Sequence, residues 1–304
     1  MRELQSFTFI FLVVFQIGFC QSISTHFFKP SDSLNVKRQN TVVITEAVLA
    51  TGTLIILNQV WYADYPKSDF HFINDNSEWL QMDKAGHLFS SYHLGRFGAE
   101  MLQWSGTDKK NQLLYGAGLG FLFLTAVEVM DGYSSEWGAS SGDIIANAAG
   151  TAFYVSQELI WQEQRITPKF SFHSTKYASF RPAVLGSSFS EQILKDYNGQ
   201  TYWLSINLNS FAKGSKIPKW LNVALGYGAE GMITGTKQDI PPNMVYDPKR
   251  YRQLYLSLDV DLTKIKTNSH FLKTVFSVFN TVKIPAPTIE FVDFNDIKYH
   301  FIYF

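Results

Sequence analysis

Cysteine is all but missing from this chain: Cys20 is the single one in 304 residues. An intramolecular disulfide is therefore excluded. Charge is scarce as well. Charged residues make up 17% of the sequence, against about 25% in an average soluble domain. Basic and acidic residues balance at 26 each, so no basic footprint points to nucleic acid. Several familiar motifs are also missing. No G-K-[ST] follows the glycines Gly116, Gly118 and Gly120, which excludes a phosphate loop. No G-x-S-x-G elbow surrounds Ser90 and Ser91, which argues against a serine nucleophile. No solenoid repeat is visible. Aromatic residues, in contrast, are abundant at 16%, with 26 Phe and 15 Tyr, and 46% of the chain is apolar. Low charge with many aromatics fits a cell-envelope protein better than a cytosolic one, with a dense soluble core as the plainer alternative.

The N-terminus supports export. The apolar run from Phe7 to Phe19 has the length of a signal-peptide core and is too short to cross a bilayer. It predicts a signal peptide over residues 1–20, with cleavage after Cys20 or Gln21. Cys20 as a lipidated cysteine has Ile17 at the apolar upstream place. Bulky Phe19 stands where a small residue is expected, so simple cleavage is favoured. Residues 21–40, with Pro30 and the basic Lys37-Arg38, read as a polar linker.

Four helices are expected next. The first, Thr41 to Tyr62, is long enough to span a membrane but is interrupted by Glu46 and Asn58. The second runs from Asp83, placed as its N-cap, to Trp104. It carries His87, His93, Arg96 and Glu100 and is too polar to lie alone in lipid. The third, from about Asn111 to Asp131, has Gly116 and Gly120 at GxxxG spacing, which permits close helix approach. The fourth continues from Ile144 to Trp161 behind an S-x-x-D capping box of Ser140 and Asp143, and Pro168 marks its end. Trp61, Trp79 and Trp137 flank these helices as interfacial anchors or as core residues.

Beyond Pro168 the period changes from helical to two. Trp203 to Leu208 and Leu254 to Leu262 alternate as half-exposed strands do. Leu221 to Tyr227, Thr288 to Phe291 and Lys298 to Phe304 are weaker strands, and clusters such as Ile240-Pro241-Pro242-Asn243 separate them. Five or six strands fall short of the roughly eight of a closed membrane barrel, despite the aromatic ending at Phe304. The expected class is α+β: an N-terminal bundle of about four helices over 41–163 and a C-terminal antiparallel β unit over 169–304, docked on the helices or on a membrane surface.

Three polar pairs at helical spacing locate the candidate site: Asp83 with His87, Glu128 with Asp131, and Asp143 with Asn147. Residues three or four apart share a helix face, and such groups are costly to bury unless paired or bound. His87, Glu128 and Asp83 are the candidate catalytic residues, and the same three are the candidate metal ligands. Lys84, Asp131, Asp143 and Asn147 complete a ligand-binding or structural polar network. Capping accounts for part of Asp83 and Asp143, and Asp131 before Gly132 suits a helix end. His71, His173, His270 and His300 have no metal-ligand spacing. No cofactor follows from these residues.

The segments bearing the pairs resemble the YfiM-like family of predicted periplasmic lipoproteins, whose function is not established. The resemblance rests on Asp83-Lys84-Ala85-Gly86-His87, on Glu128-Val129-Met130-Asp131, and on the run from Trp137 through Asp143 and Asn147 to Gly150. More distantly the chain is similar to VanZ-like membrane proteins, which combine a D-K-x-x-H start, a glutamate on a later helix and a D-x-x-x-N ending. The resemblance covers roughly residues 80–163 and implies an exported, periplasmic or outer-membrane-associated protein. The expected function is a membrane-associated envelope protein with a structural, ligand-binding or partner-binding role, its partner a membrane or envelope component. The alternative is a membrane-associated, metal-dependent hydrolase of a lipid-linked or envelope substrate.

Overall fold

The structure, a computed structural model, describes residues 27–63, 65–240 and 248–304. The signal peptide, Cys20 and the Pro241–Asn243 separator lie outside the described residues. Four long helices come first: α1 Val36–Leu57, α2 Met82–Trp104, α3 Lys109–Gly132 and α4 Ser141–Ile160. A two-residue parallel pair, β1 Phe72–Ile73 with β2 Ala139–Ser140, lies between them. A meander of six strands follows: β3 Ile166–Phe172, β4 Gln200–Asn207, β5 Leu221–Glu230, β6 Tyr251–Val260, β7 Ala286–Val292 and β8 Asp296–Tyr303. Helix α5, His270–Phe279, crosses between β6 and β7. The α+β class and the helix-then-sheet order are as expected.

Local chemistry sets the helix ends. α1 starts at Val36 because the Asn35 side chain accepts from the Arg38 amide. Lys37 and Arg38 are thus in its first turn rather than in a linker, and Arg38 stacks on Trp104. After Leu57 the helix widens into a π-helical turn, Asn58–Tyr62. Asp83 lies in the first turn of α2 and is not its cap. That place belongs to Gln81, which makes no capping bond and is left-handed at φ 64. Trp79 and Leu80 before it are left-handed too, at φ 46 and 50. Three such residues in a row are strained, at of order 1 kcal/mol each. Strands β5 and β6 and the loop between them hold the run: Trp79 N donates to Gly235 O of the loop, the Tyr227 hydroxyl to Leu80 O, and Arg252 to Gln81 Oε1.

Helices α2, α3 and α4 pack on one another through small residues. A Cβ on Gly120 would meet Ser91 O at 2.1 Å, and one on Gly98 would meet Gly116 O at 2.5 Å. The predicted close approach at Gly116 and Gly120 is therefore real. α2 also rests on the sheet, with Phe89 against Phe170 and Tyr202.

β3 is the strand that the sequence pattern hid, because Pro168 sits inside it, paired with Leu204. Pro168 O accepts from His93 Nε2, so its backbone points away from β4. The missing N–H costs the ladder nothing on that edge strand. Two residues on, Phe170 uses the same edge, donating to Thr281 O and accepting from Lys283 N.

The polarity of the sheet is inverted. Leu204, Leu225, Leu256, Ile289 and Tyr299 form one row across β4–β8, and all but Ile289 are exposed. Phe301, at 96% exposure, and Leu258 extend this face. The adjacent row, Ser205, Ala224, Ser257, Thr288 and His300, lines the opposite side. That interior holds Lys169 and Asp259, 2.8 Å apart and both fully buried, and Glu290 2.6 Å from His300. The curl of the sheet lays Tyr303 of β8 over Trp203 and Tyr255.

The helices follow the same rule. α1 exposes Val43, Ile44, Val48, Leu49, Ile55 and Ile56. Leu114, Tyr115 and Leu122 of α3 and Ile145, Leu159 and Ile160 of α4 are exposed too. The packed sides of α2 and α4 bury Ser91, His93, Arg96, Asn147 and Gln157. α1 and α3 are long and apolar enough to cross a membrane.

Candidate functional site

Three helix ends meet at the polar pairs. Asp83, Lys84 and His87 come from the first turns of α2, Glu128 and Asp131 from the last turn of α3, and Asp143 and Asn147 from the first turns of α4. The β1–β2 pair ties the preceding loop to the start of α4 and delivers a fifth carboxylate, Asp75.

The capping box at α4 is only half made. Ser140 Oγ accepts from the Asp143 amide at 3.2 Å, as expected. The reciprocal bond, from the Ser140 amide, goes to Glu128 Oε2 at 2.9 Å rather than to Asp143. The Asp143 carboxylate is thereby freed from its own helix end. Its Oδ2 takes Lys84 Nζ at 3.0 Å, while Oδ1 is buried with no hydrogen-bond partner.

Lys84 sits among three carboxylates, 2.6 Å from Asp75, 3.0 Å from Asp143 and 3.3 Å from Asp83. Ser140 Oγ donates to the other oxygen of Asp75 at 2.6 Å. Tyr197, from the segment before β4, donates to Asp83 Oδ1 at 2.7 Å. Tyr62 donates to Asp131 Oδ1 at 2.6 Å, which turns Asp131 toward α1. A cleft of about 250 Å³ opens beside that contact, lined by Tyr62, Tyr65, Met130 and Tyr133 among others.

His87 is the centre of the arrangement. Its Nδ1 lies 3.0 Å from Asn147 Oδ1. A carbonyl oxygen only accepts, so Nδ1 carries a proton, and Nε2 is the nitrogen without a hydrogen-bond partner. Nε2 faces three carboxylate oxygens at 3.7 Å (Glu128), 3.8 Å (Asp83) and 4.0 Å (Asp143). All three distances are too long for hydrogen bonds.

The electrostatics follow from five carboxyl groups facing one ammonium and one imidazole. Burial disfavours an imidazolium at His87, yet the charges of Asp83, Asp143 and Glu128 and the Asn147 bond raise its pKa above the ordinary value. Burial, reinforced by Asp83, pushes the Asp143 carboxyl up to about 7. Asp75 moves the other way: burial opposes its ionisation, but its bonds to Lys84 and Ser140 hold it below the usual carboxylate range. Tyr197, raised by burial and by Asp83, stays protonated and so remains a donor.

The structure therefore gathers Asp83, Lys84, His87, Glu128, Asp143 and Asn147 at one place and leaves Asp131 at its margin. Sequence reasoning missed Asp75, Tyr62 and Tyr197. Asp75 follows the strand-like pair Phe72-Ile73, which is its one local signal. Tyr197 is brought from beyond the helical half and has none.

Residues 69–158 match the model of a family described as predicted periplasmic lipoprotein (DUF2279). The match begins in the loop that carries Asp75 and ends near the close of α4. It takes in every group of the cluster except Tyr62 and Tyr197. The expected YfiM-like resemblance falls on the same segment, and the family's description agrees with an exported, cell-envelope location. No curated protein and no solved structure matches the chain.

Proposed function

We propose that this chain is an envelope protein held in a membrane by its apolar outer surfaces, with a ligand-binding centre inside its helical half. The observation that carries this reading is the inverted polarity. In water, helices and strands turn apolar residues inward. Here Leu204, Leu225, Leu256 and Tyr299 face outward while Ser205, Ser257, Thr288 and Asp259 are buried. Apolar-out, polar-in strands are the pattern of sheets facing lipid. α1 adds a long helix almost bare of packing, with 6% of its apolar window buried. Exposed apolar surface on this scale marks an interaction site.

Extraction of native membranes tests the reading. Carbonate at high pH is expected to leave the protein in the pellet, and detergent to release it. Full release by carbonate or high salt would overturn membrane insertion.

A second reading, a membrane-associated hydrolase, draws on one observation. When deprotonated, His87 Nε2 offers a lone pair among three carboxylates, and Asp131 at the margin of the cluster bonds Tyr62, which lines a cleft of about 250 Å³. A general base needs such a lone pair next to room for substrate. Hydrolysis of a lipid-linked phosphoester by the purified protein, abolished in His87→Gln with an unchanged melting midpoint, is the expected result. No turnover over a panel of such substrates would remove the reading.

A further inference from the structure

We infer that Asp83, His87, Glu128 and Asp143 form a binding site for a divalent first-row transition cation. The inference rests on the ligand-binding part of the function proposed above and names the ligand. The ligand atoms of Asp83, His87 and Asp143 all lie within 4.8 Å of one another, and Glu128 Oε1 joins them 3.7 Å from His87 Nε2.

Proximity of acidic groups alone would not make a site. Asp143 supplies the second observation. It is 3% exposed, and its Oδ1 has no donor although it faces His87 Nε2. A buried carboxylate oxygen without a partner is costly. The neighbours repeat the problem. The Asn147 bond places a proton of His87 on Nδ1, while Nε2 faces three carboxylate oxygens and hydrogen-bonds to none of them. A proton on Nε2 would find no acceptor within hydrogen-bonding range. A cation among these atoms would satisfy the imidazole and the Asp83 and Asp143 carboxylates at once, with Glu128 Oε1 beside the imidazole.

The surroundings fit a metal centre in other ways. Asn147 fixes the imidazole tautomer from behind, as partners of ligating histidines do. Tyr197 and Lys84 hold Asp83, and Lys84 holds Asp143 by the oxygen that faces away from His87. Lys84 neutralises part of the excess negative charge through the Oδ2 atoms of both aspartates, while their Oδ1 atoms face His87. The side chains of His87 and Asp83 are 18% and 21% exposed, which leaves a way in for an ion. One imidazole nitrogen with carboxylate oxygens suits Zn²⁺ or Mn²⁺. Ca²⁺ prefers six to eight oxygen ligands and no nitrogen.

The test uses the full chain in detergent, stripped with EDTA and titrated calorimetrically with Zn²⁺ and Mn²⁺, with Ca²⁺ and Mg²⁺ in parallel. One equivalent of Zn²⁺ or Mn²⁺ is expected. Asp143→Asn should weaken its binding more than about tenfold, while Glu136→Gln, at an exposed carboxylate between α3 and β2, should change it less than about twofold. His87→Gln carries the same expectation as Asp143→Asn if the latter fails to fold. No saturable uptake by the wild type, uptake undiminished in both variants, or preference for Ca²⁺ or Mg²⁺ would overturn the site. A protein that resists carbonate extraction yet takes up no cation would overturn the cation site alone and leave the membrane reading standing.

Discussion

At the scale of single residues, Lys84 and the pair His87–Asp143 respond in distinct ways. Lys84→Met leaves Asp75, Asp83 and Asp143 without their shared ammonium. Removing one partner from a largely buried charge cluster costs about 3 kcal/mol. The melting midpoint of the variant is expected to drop, less at pH 5, where carboxylates take protons, than at pH 8. Equal midpoints for variant and wild type would show that the ammonium contributes nothing net. The EDTA-treated wild type has its own pH dependence. Asp143 titrates near 7 when folded and near 4 when unfolded, so the folded state holds the proton more tightly. Stability from this group is complete below the unfolded value and is lost as pH rises to 7. His87, also raised, adds a loss in the same direction above its unfolded value near 6.5. Asp75, lowered, acts oppositely, and only in the acid range below its unfolded value. Differential scanning fluorimetry from pH 5 to 8 should therefore show a falling midpoint, and added Zn²⁺ should restore most at the alkaline end, because cation and proton compete. A midpoint that rises with pH in EDTA would contradict this ordering.

At the scale of elements, the packing of α2 on α3 separates two glycines of one run. Gly120→Ala drives a Cβ to 2.1 Å from Ser91 O, whereas Gly118→Ala meets nothing within 4 Å. The first should cost about 2 kcal/mol by forcing the helices apart. The second should gain up to about 1 kcal/mol from helix propensity. Chemical denaturation of the two variants checks the contrast. The elements themselves were largely legible. The helical period gave α2, α3 and α4 nearly to their ends, and alternation gave β4 and β6. What stayed hidden had physical causes. β3 is masked by a proline whose missing donor faces an edge. The α4 box reads as closed because S-x-x-D names the amide bond and cannot reveal that Glu128, twelve residues earlier, takes the return bond. Asp83 reads as a cap because a cap and a first-turn acid look alike in sequence. The pairs themselves were visible from spacing alone, but their convergence on His87 required three helix ends and a loop to meet.

At the scale of the whole molecule, the inverted surface gives the membrane reading a direct test. Leu225→Arg places a guanidinium in the middle of the apolar row of the sheet. In contact with hydrocarbon it should cost about 2–4 kcal/mol and lower the fraction of protein that resists carbonate. In water the same exposed position should tolerate arginine with little effect. Melting in lipid vesicles and in detergent-free buffer distinguishes the two environments. An unchanged midpoint and unchanged extraction would place this face outside the bilayer. The polar interior of the sheet has no such freedom, because Lys169, Asp259 and Lys283 already satisfy one another there.

The left-handed run Trp79–Gln81 has a consequence for α2 as a rotating body. An α-helix turns by about 100° per residue. If the run relaxed and α2 started one residue earlier or later, His87 would swing away from Glu128 and Asp143 by that angle. The contacts from Gly235, Tyr227 and Arg252 therefore set the angular phase of α2 as well as its starting point. The sheet and its β5–β6 loop, distant in sequence from the three motifs, act as the stop that decides which face of α2 meets the carboxylates.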